Sequence, residues 1–527
     1  MAKPKLALIP AAQGDKFYSV LPSDGVGDFD FTRNSSATRI APTGFIQEVG
    51  AFGSELVTNG NFDNDSDWTK TNVTIANGVA TFVTGTASLQ QAISITVGKT
   101  YKITYQINGG TGTLNLSSSG FTNVSTVIPS TVGTHIINAT AVNTNNLYLV
   151  CIGSSNLVID NVSVVEVVGN KSRLNYDLLN GKVVNCPHYL LEPARTNLVT
   201  YSEDFSNAAW TKSNSSITSN SVISPDGTLN ADKLVINTSL GYLAGTFISS
   251  GNTDVTVSFF VKSDTLSSFT FVESFYFGTI TSFDLSIGTT DNGKIENYGN
   301  GWYRCSKTYT YASGQQIVAV QIKTGAIGSI YLYGGQFEQG SYATSYIPTN
   351  GTAITRAAES ADGSGDAATF NDSEGVLMLE ISALANDLSD KRISLNDGSV
   401  SNVVRIGYTT TSNQIIAVVY NGANQAILGY SNANITLNNK VLVKYKTNDF
   451  ALWINGFELD TDTSGSTFSE GTLTNINFDG GSGGNDWYGK TRELQYFDSA
   501  LTDSQLETLT SWTSLQEMIT SQLYTNY

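Results

Sequence analysis

The 527 residues exceed what one hydrophobic core organises, since single cores stop growing near ~250–300 residues, and several domains are expected. Charged residues make up 14% and apolar residues 40%, with Gly (49), Tyr (25) and Phe (24) abundant and Met (3) scarce, the composition of many short strands joined by turns. A net charge of −17 without any Lys/Arg cluster argues against nucleic acid as a partner, and no apolar run reaches the ~18 residues of a spanning helix, which argues against membrane insertion.

Residues 1–50 carry as many basic as acidic side chains, so the whole negative excess lies beyond them. A neutral start and an acidic remainder suit a protein docked at one end and projecting at the other. "MAKPKLALIPAAQG" has the lysines and small apolar run of an export signal, but the run is short and Pro10 interrupts it; folding in a cytosol is expected.

"ELVTNGNFDNDSDWTKTN" at 55–72 returns as "NLVTYSEDFSNAAWTKSN" at 197–214, with Leu-Val-Thr and Trp-Thr-Lys both recurring 142 residues later. Each copy opens a strand-rich stretch. In the first, Tyr101, Ile103, Tyr105 and Ile107 alternate with polar residues; in the second, Val255, Val257, Phe259 and Val261 do. Period two marks half-buried strands, so 51–169 and 197–348 are expected to be two related β-sandwiches, too large and too few for a solenoid.

Residues 349–372, small, polar and Gly-rich, are expected to be a linker. Beyond it, 373–500 carries closely spaced strands and an Asn455-Gly456 pair flanked by apolar alternation, the signature of a type I′ hairpin, and forms a third sandwich. Residues 501–527 open with Thr502 three before Gln505, then Leu506, Leu509, Trp512 and Leu515 at helical spacing, so a short helix packs on that sandwich. Cys151, Cys186 and Cys305, far apart and odd in number, are expected to be reduced thiols buried in strands.

Catalysis lacks its usual parts. The chain has only His135 and His188, and no nucleophile elbow, zinc helix or phosphate loop; two carboxylates of a glycosidase could hide among 45 acidic residues, yet a non-enzyme is expected. For ligand binding, the aromatic pairs Trp487 and Tyr488, in the Gly-rich "DGGSGGNDWYGK", and Trp302 and Tyr303, in "NGWYRC", are the candidates. Trp68 and Trp210 open a strand at the same place in both copies and are expected to be structural.

"KLALIPAAQGDKFYSVLPSDGVGDFDFTRNSSATRI", "RLNYD", "CPHYLLEPARTNLVTYSEDFSNAAWTK", "GNGWYRCS" and "LYGGQFEQGSYATSYIPTNGTAITR" resemble, in order, a family of tailed-bacteriophage structural proteins. In that family "SSATR" leads almost directly to "RLNY", so the first sandwich is an insertion between residues 50 and 170, and 170–196 is the return segment of a docking base begun by residues 1–50. The sandwiches resemble carbohydrate-binding jelly rolls, and the last part resembles laminin-G or concanavalin-like sandwiches. The resemblance to jelly rolls implies a structural Ca²⁺ between Asp63 and Asp160, with Tyr333 standing in place of the closing Asp in the second copy.

The reading is an all-β virion appendage, a tail or head fibre. It docks on other virion proteins through its N-terminus, adheres to host surface glycans or polysaccharide, and assembles as a homotrimer on the virion exterior after synthesis in the host cytoplasm. The rivals are a purely architectural head-decoration or collar protein and a secreted bacterial carbohydrate-binding adhesin.

Overall fold

The computed structural model describes residues 3–11, 14–50, 52–116, 120–121, 126–143, 146–168, 171–184, 186–248, 253–275, 278–312 and 317–511. Nearly every element is a strand, and Asp503–Ser511 is the one helix among the described residues. Trp512, Leu515 and the rest of the C-terminal tail lie outside them.

The first sandwich is one eight-stranded sheet folded over its own core. Its long strands Val79–Gln91, Thr100–Leu116 and Leu147–Val167 run through both layers. Their pairing slips at Gly85 and repeatedly between Ile107 and Thr113, which bends the ribbon where Gly109, Gly110 and Gly112 stand. A Cβ on Gly110 would lie 1.9 Å from the Asn156 carbonyl oxygen, so only glycine lets these strands approach. Tyr101, Ile103, Tyr105 and Ile107 are at most 1% exposed, as their alternation requires.

The second sandwich has two separate six-stranded sheets. One runs Ser215–Ile223, Leu229–Ile236, Gly328–Gln339, Thr253–Ser263, Trp302–Tyr311, Lys294–Gly299; the other runs Thr211–Ser213, Tyr242–Ile248, Ile317–Lys323, Ser268–Glu273, Ile280–Asp284, Thr289–Thr290. Val255, Val257, Phe259 and Val261 of the first sheet meet Leu243, Phe269, Phe271, Phe283 and Ile322 of the second.

In the third sandwich a five-stranded sheet faces a nine-stranded one. Asn455 and Gly456 both have positive φ, 51° and 87°, and close a hairpin in which Ile454 pairs with Phe457. The helix is capped as expected, the Gln505 side chain accepting the Thr502 N–H at 3.0 Å, and it packs Leu506 and Leu509 onto Met378, Leu442 and Trp453.

Two expectations about organisation are corrected. Residues 1–50 do not stand apart from the third sandwich: Leu6–Leu8 pairs antiparallel with Gly489–Phe497, and Leu6, Leu8, Phe17, Phe29 and Phe31 belong to the third sandwich's core. The return segment joins the same strand through His188–Leu191, and Asp177 accepts Lys490 at 2.5 Å and Arg492 at 2.9 Å. Nor is 349–372 a linker. Ile354–Arg356 pairs with Arg195–Asn197, Ser360–Asp362 pairs with Phe29–Thr32, and Ala361 and Phe370 are core residues. Small polar residues hid this because their partners lie more than 150 residues away.

These pairings make residues 3–50, 171–192 and 356–511 one module, with the first two sandwiches inserted into it. At the junctions sits a buried charge network. Arg173 donates to Glu359 with both Nε, at 2.8 Å, and Nη2, and to Glu192 at 2.8 Å; Arg33 donates to Glu359 at 2.6 Å, and Arg356 lies 3.0 Å from Glu192. Burial opposes ionisation of Glu192, but Arg356 and Arg173 hold its pKa well below the usual carboxylate range. The phrases around Arg33, Arg173, Glu192 and Arg356 thus meet at one point.

Candidate functional site

The repeated opening phrase has a structural explanation. Trp68 donates its indole N–H to the Asn59 carbonyl at 3.0 Å and Trp210 to the Tyr201 carbonyl at 2.8 Å, each nine residues back. Leu56 and Leu198 donate backbone N–H groups to Val164 and Phe337 of the closing strands, and Gly60 and Ser202 accept from Val162 and Gly335. The two openings are therefore superposable latches, and Trp68 (7% exposed) and Trp210 (2%) are core residues. The same register places Tyr333 where the first copy has Asp160.

Of the aromatic candidates, Trp487 and Trp302 are corrected. Trp487 is fully buried against Tyr408, ring centroids 5.1 Å apart, and presents no face to a ligand. The Gly-rich sequence around it reflects tight packing, since a Cβ on Gly489 would lie 2.8 Å from its ring. Trp302 is 2% exposed and donates to the Ile223 carbonyl at 3.1 Å, within a cluster of Phe260, Tyr333 and Tyr346. Tyr303, on the opposite face of its strand, is half-buried, and so is Tyr488, whose hydroxyl donates to Asp486 at 3.0 Å. The structure does not bring these four together into one site.

Asp63 is exposed and accepts the Asn61 amide at 2.6 Å, while Asp160 accepts the Asn161 backbone N–H at 2.6 Å. Among the described residues no three Asp, Glu, His or Cys side chains are grouped to hold a metal. In the second sandwich Tyr333 faces two carboxylates instead, its hydroxyl 3.2 Å from Glu203 and 3.1 Å from Asp226, with the Tyr346 hydroxyl donating to Glu203 at 2.9 Å. Burial and the neighbouring Asp226 push Glu203 up to about 7. Cys151 and Cys305 are buried strand thiols; Cys186 differs from expectation, half-buried between two strands.

The site that sequence reading missed is the outer face of the second sandwich's Thr211–Thr290 sheet. Alternation sends Leu243, Phe271, Phe283 and Ile322 into the core, so their neighbours point outward. Register aligns Ser213, Tyr242, Lys323, Thr270 and Ser282 in one row across five strands, and Ala244, Gln321 and Val272 in the next. The Lys323 ammonium lies over the Tyr242 ring, 5.5 Å from its centroid. Among the described residues, the Gln321 side-chain oxygen, shut off from solvent, has no donor and the Thr290 hydroxyl has no partner. At the sheet's edge a hollow of about 360 Å³ is lined by Ser268, Thr270, Ser282, Asp284, Thr290 and Asp291. A flat, hydroxyl- and amide-rich face beside an aromatic ring offers hydrogen bonds and a stacking surface to a polyol. Its signal in the sequence was the polar half of each alternating strand, which becomes a row only once the register is known.

No family model matches the chain, and no curated protein matches it. Among solved structures, the carbohydrate-binding module CBM40 of a Ruminococcus gnavus IT-sialidase, bound to α2,3-sialyllactose, is similar at 15% identity, covering 28% of this chain and 93% of that one, with a TM-score of 0.25. The CBM22-1–CBM22-2 tandem of Paenibacillus barcinonensis Xyn10C is similar at 10% identity over 55% and 98%, TM-score 0.21. Domain 4 of AbnA, an arabinanase of Geobacillus stearothermophilus in complex with arabinotriose, follows at 12% identity over 32% and 82%, TM-score 0.22.

Proposed function

We propose that the chain is an adhesion protein of a bacteriophage virion, a tail or head fibre that binds host surface glycans without catalysis. The observation that carries the glycan part is the Tyr242–Lys323–Thr270–Ser282 row with the hollow beside it. The phage part rests on the long phrases that meet around Arg173 and Glu359. In this reading the module of residues 3–50, 171–192 and 356–511 attaches to other virion proteins and carries the inserted sandwiches outward. The copies form a homotrimer on the virion exterior, and avidity multiplies weak single-site contacts.

The test is binding of the full chain to a bacterial glycan array and to intact bacteria, together with a search for the chain in purified virions. Saturable retention on glycans and presence in virions support the reading. A folded chain that retains no glycan but is found in virions favours the architectural rival. For that rival, the exposed Ile248 and Ile280 on the same sheet supply an apolar contact.

A further inference from the structure

The outer face of the five-stranded sheet in the third sandwich carries two arginines. On Asn402–Tyr408, Val404 and Ile406 point into the core, so Arg405 between them points out; on Lys391–Asn396, Ile393 and Leu395 point in and Arg392 points out. Register sets Arg392 opposite Gly407 and Arg405 opposite Ser394, so the two arginines sit diagonally across adjacent strands. Gly407 makes room for the Arg392 side chain. A Cβ there would lie 3.1 Å from Arg392 Cγ, so the Arg392 stem crosses the glycine.

The charges on this face do not balance. Arg392 is paired with Asp390 at 3.0 Å. Arg405, half-buried, makes neither an ion pair nor a hydrogen bond among the described residues, and the Nε atoms of both arginines are shut off from solvent with no acceptor. Burial and the Arg392 charge lower the pKa of Arg405, and Asp390, which pairs with Arg392, opposes them only in part. Around it lie buried Val418, exposed Ile427, and the half-buried Tyr420 one row along, opposite Val403.

We propose that this face binds the carboxylate of an acidic sugar through Arg405, with Tyr420 and Ile427 against the sugar ring. The guanidinium fork matches a planar carboxylate through two parallel hydrogen bonds, which a lysine cannot reproduce. The chain's net charge of −17 repels anions at long range, so recognition comes from this local pair of arginines. The sugar part of the ligand rests on the adhesion reading; the carboxylate part rests on Arg405 alone.

The test titrates the full chain with trigalacturonate and with N-acetylneuraminate, each beside its neutral methyl ester, and repeats the titration with Arg405→Gln, Arg405→Lys and Lys323→Gln. Expected is saturable binding of at least one acid, at least tenfold tighter than its ester. It falls tenfold or more in Arg405→Gln and only partly recovers in Arg405→Lys. Arg405→Gln should unfold at the same temperature as the parent or higher, since it removes a charge without a partner. Equal binding of acid and ester, binding indifferent to Arg405→Gln, or silence with both acids would overturn the proposal. Loss in Lys323→Gln instead would place the carboxylate on the second sandwich and overturn it while sparing the adhesion reading. That reading falls separately if a panel of neutral glycans is silent as well.

Discussion

Glu359 receives the guanidinium of Arg173 through both of its carboxylate oxygens, although the two residues are 186 apart in sequence. Both side chains are completely buried. The pair ties the segment that leaves the second sandwich to the segment that returns from the first, so it fixes both insertions to one module. Removing one partner of such a pair leaves an uncompensated buried charge, at a cost of about 3–5 kcal/mol. Glu359→Gln, which takes a carboxylate from both Arg33 and Arg173, should lower the melting temperature of the third-sandwich module by ten degrees or more in calorimetry. A shift within one degree would mean that the network holds nothing together.

The strand Leu6–Leu8 supplies two fully buried side chains to the third sandwich. Leu8→Ala should therefore cost about 2–5 kcal/mol and open the third sandwich. Limited proteolysis reads this directly: cleavage should rise within residues 373–500 and stay constant within 211–339. Unchanged cleavage in 373–500 would show that the N-terminal strand is dispensable.

Trp487→Ala tests burial against exposure. A fully buried tryptophan costs about 3–5 kcal/mol on truncation, so the variant should lose stability in the third sandwich and keep any glycan binding that resides on the Tyr242 face. Loss of binding at unchanged melting temperature would restore Trp487 as a ligand contact.

Glu203 gives the second sandwich a pH dependence of its own. Its carboxyl is held up to about 7 in the fold against 4.5 ordinarily, so between those values the folded chain binds more protons than the unfolded one. Stability from this group is therefore fully present below about pH 4.5 and is lost as pH rises through about 7. Glu203→Gln should raise the melting temperature of the second sandwich by several degrees at pH 8 and change it little at pH 4.5. An equal shift at both pH values would show that the carboxyl does not titrate in this window.

Much of the fold was legible because it is written locally. Alternation in Tyr101–Ile107 and Val255–Val261 named the inward faces, Asn455-Gly456 named a hairpin, and Thr502 with Gln505 named a helix start. What was not legible depends on pairing between distant segments. Residues 349–372 look like a linker because a strand such as Ile354–Arg356 is defined by its partner Arg195–Asn197, not by its own composition. The same limit hid the binding faces. Aromatic residues in Gly-rich loops drew attention to Trp487, which glycine lets pack inward, whereas Tyr242, Lys323, Thr270 and Ser282 lie on four separate strands and meet only across the register.

The most direct measurement is a calorimetric titration of a glycan retained by the array into the full chain and into Tyr242→Ala, with melting temperatures recorded for both. The account expects affinity to fall tenfold or more, since an aromatic platform contributes about 1–2 kcal/mol and orients its neighbours, while the melting temperature moves by less than about two degrees. Equal affinity in the two proteins would contradict the placement of adhesion on the second sandwich.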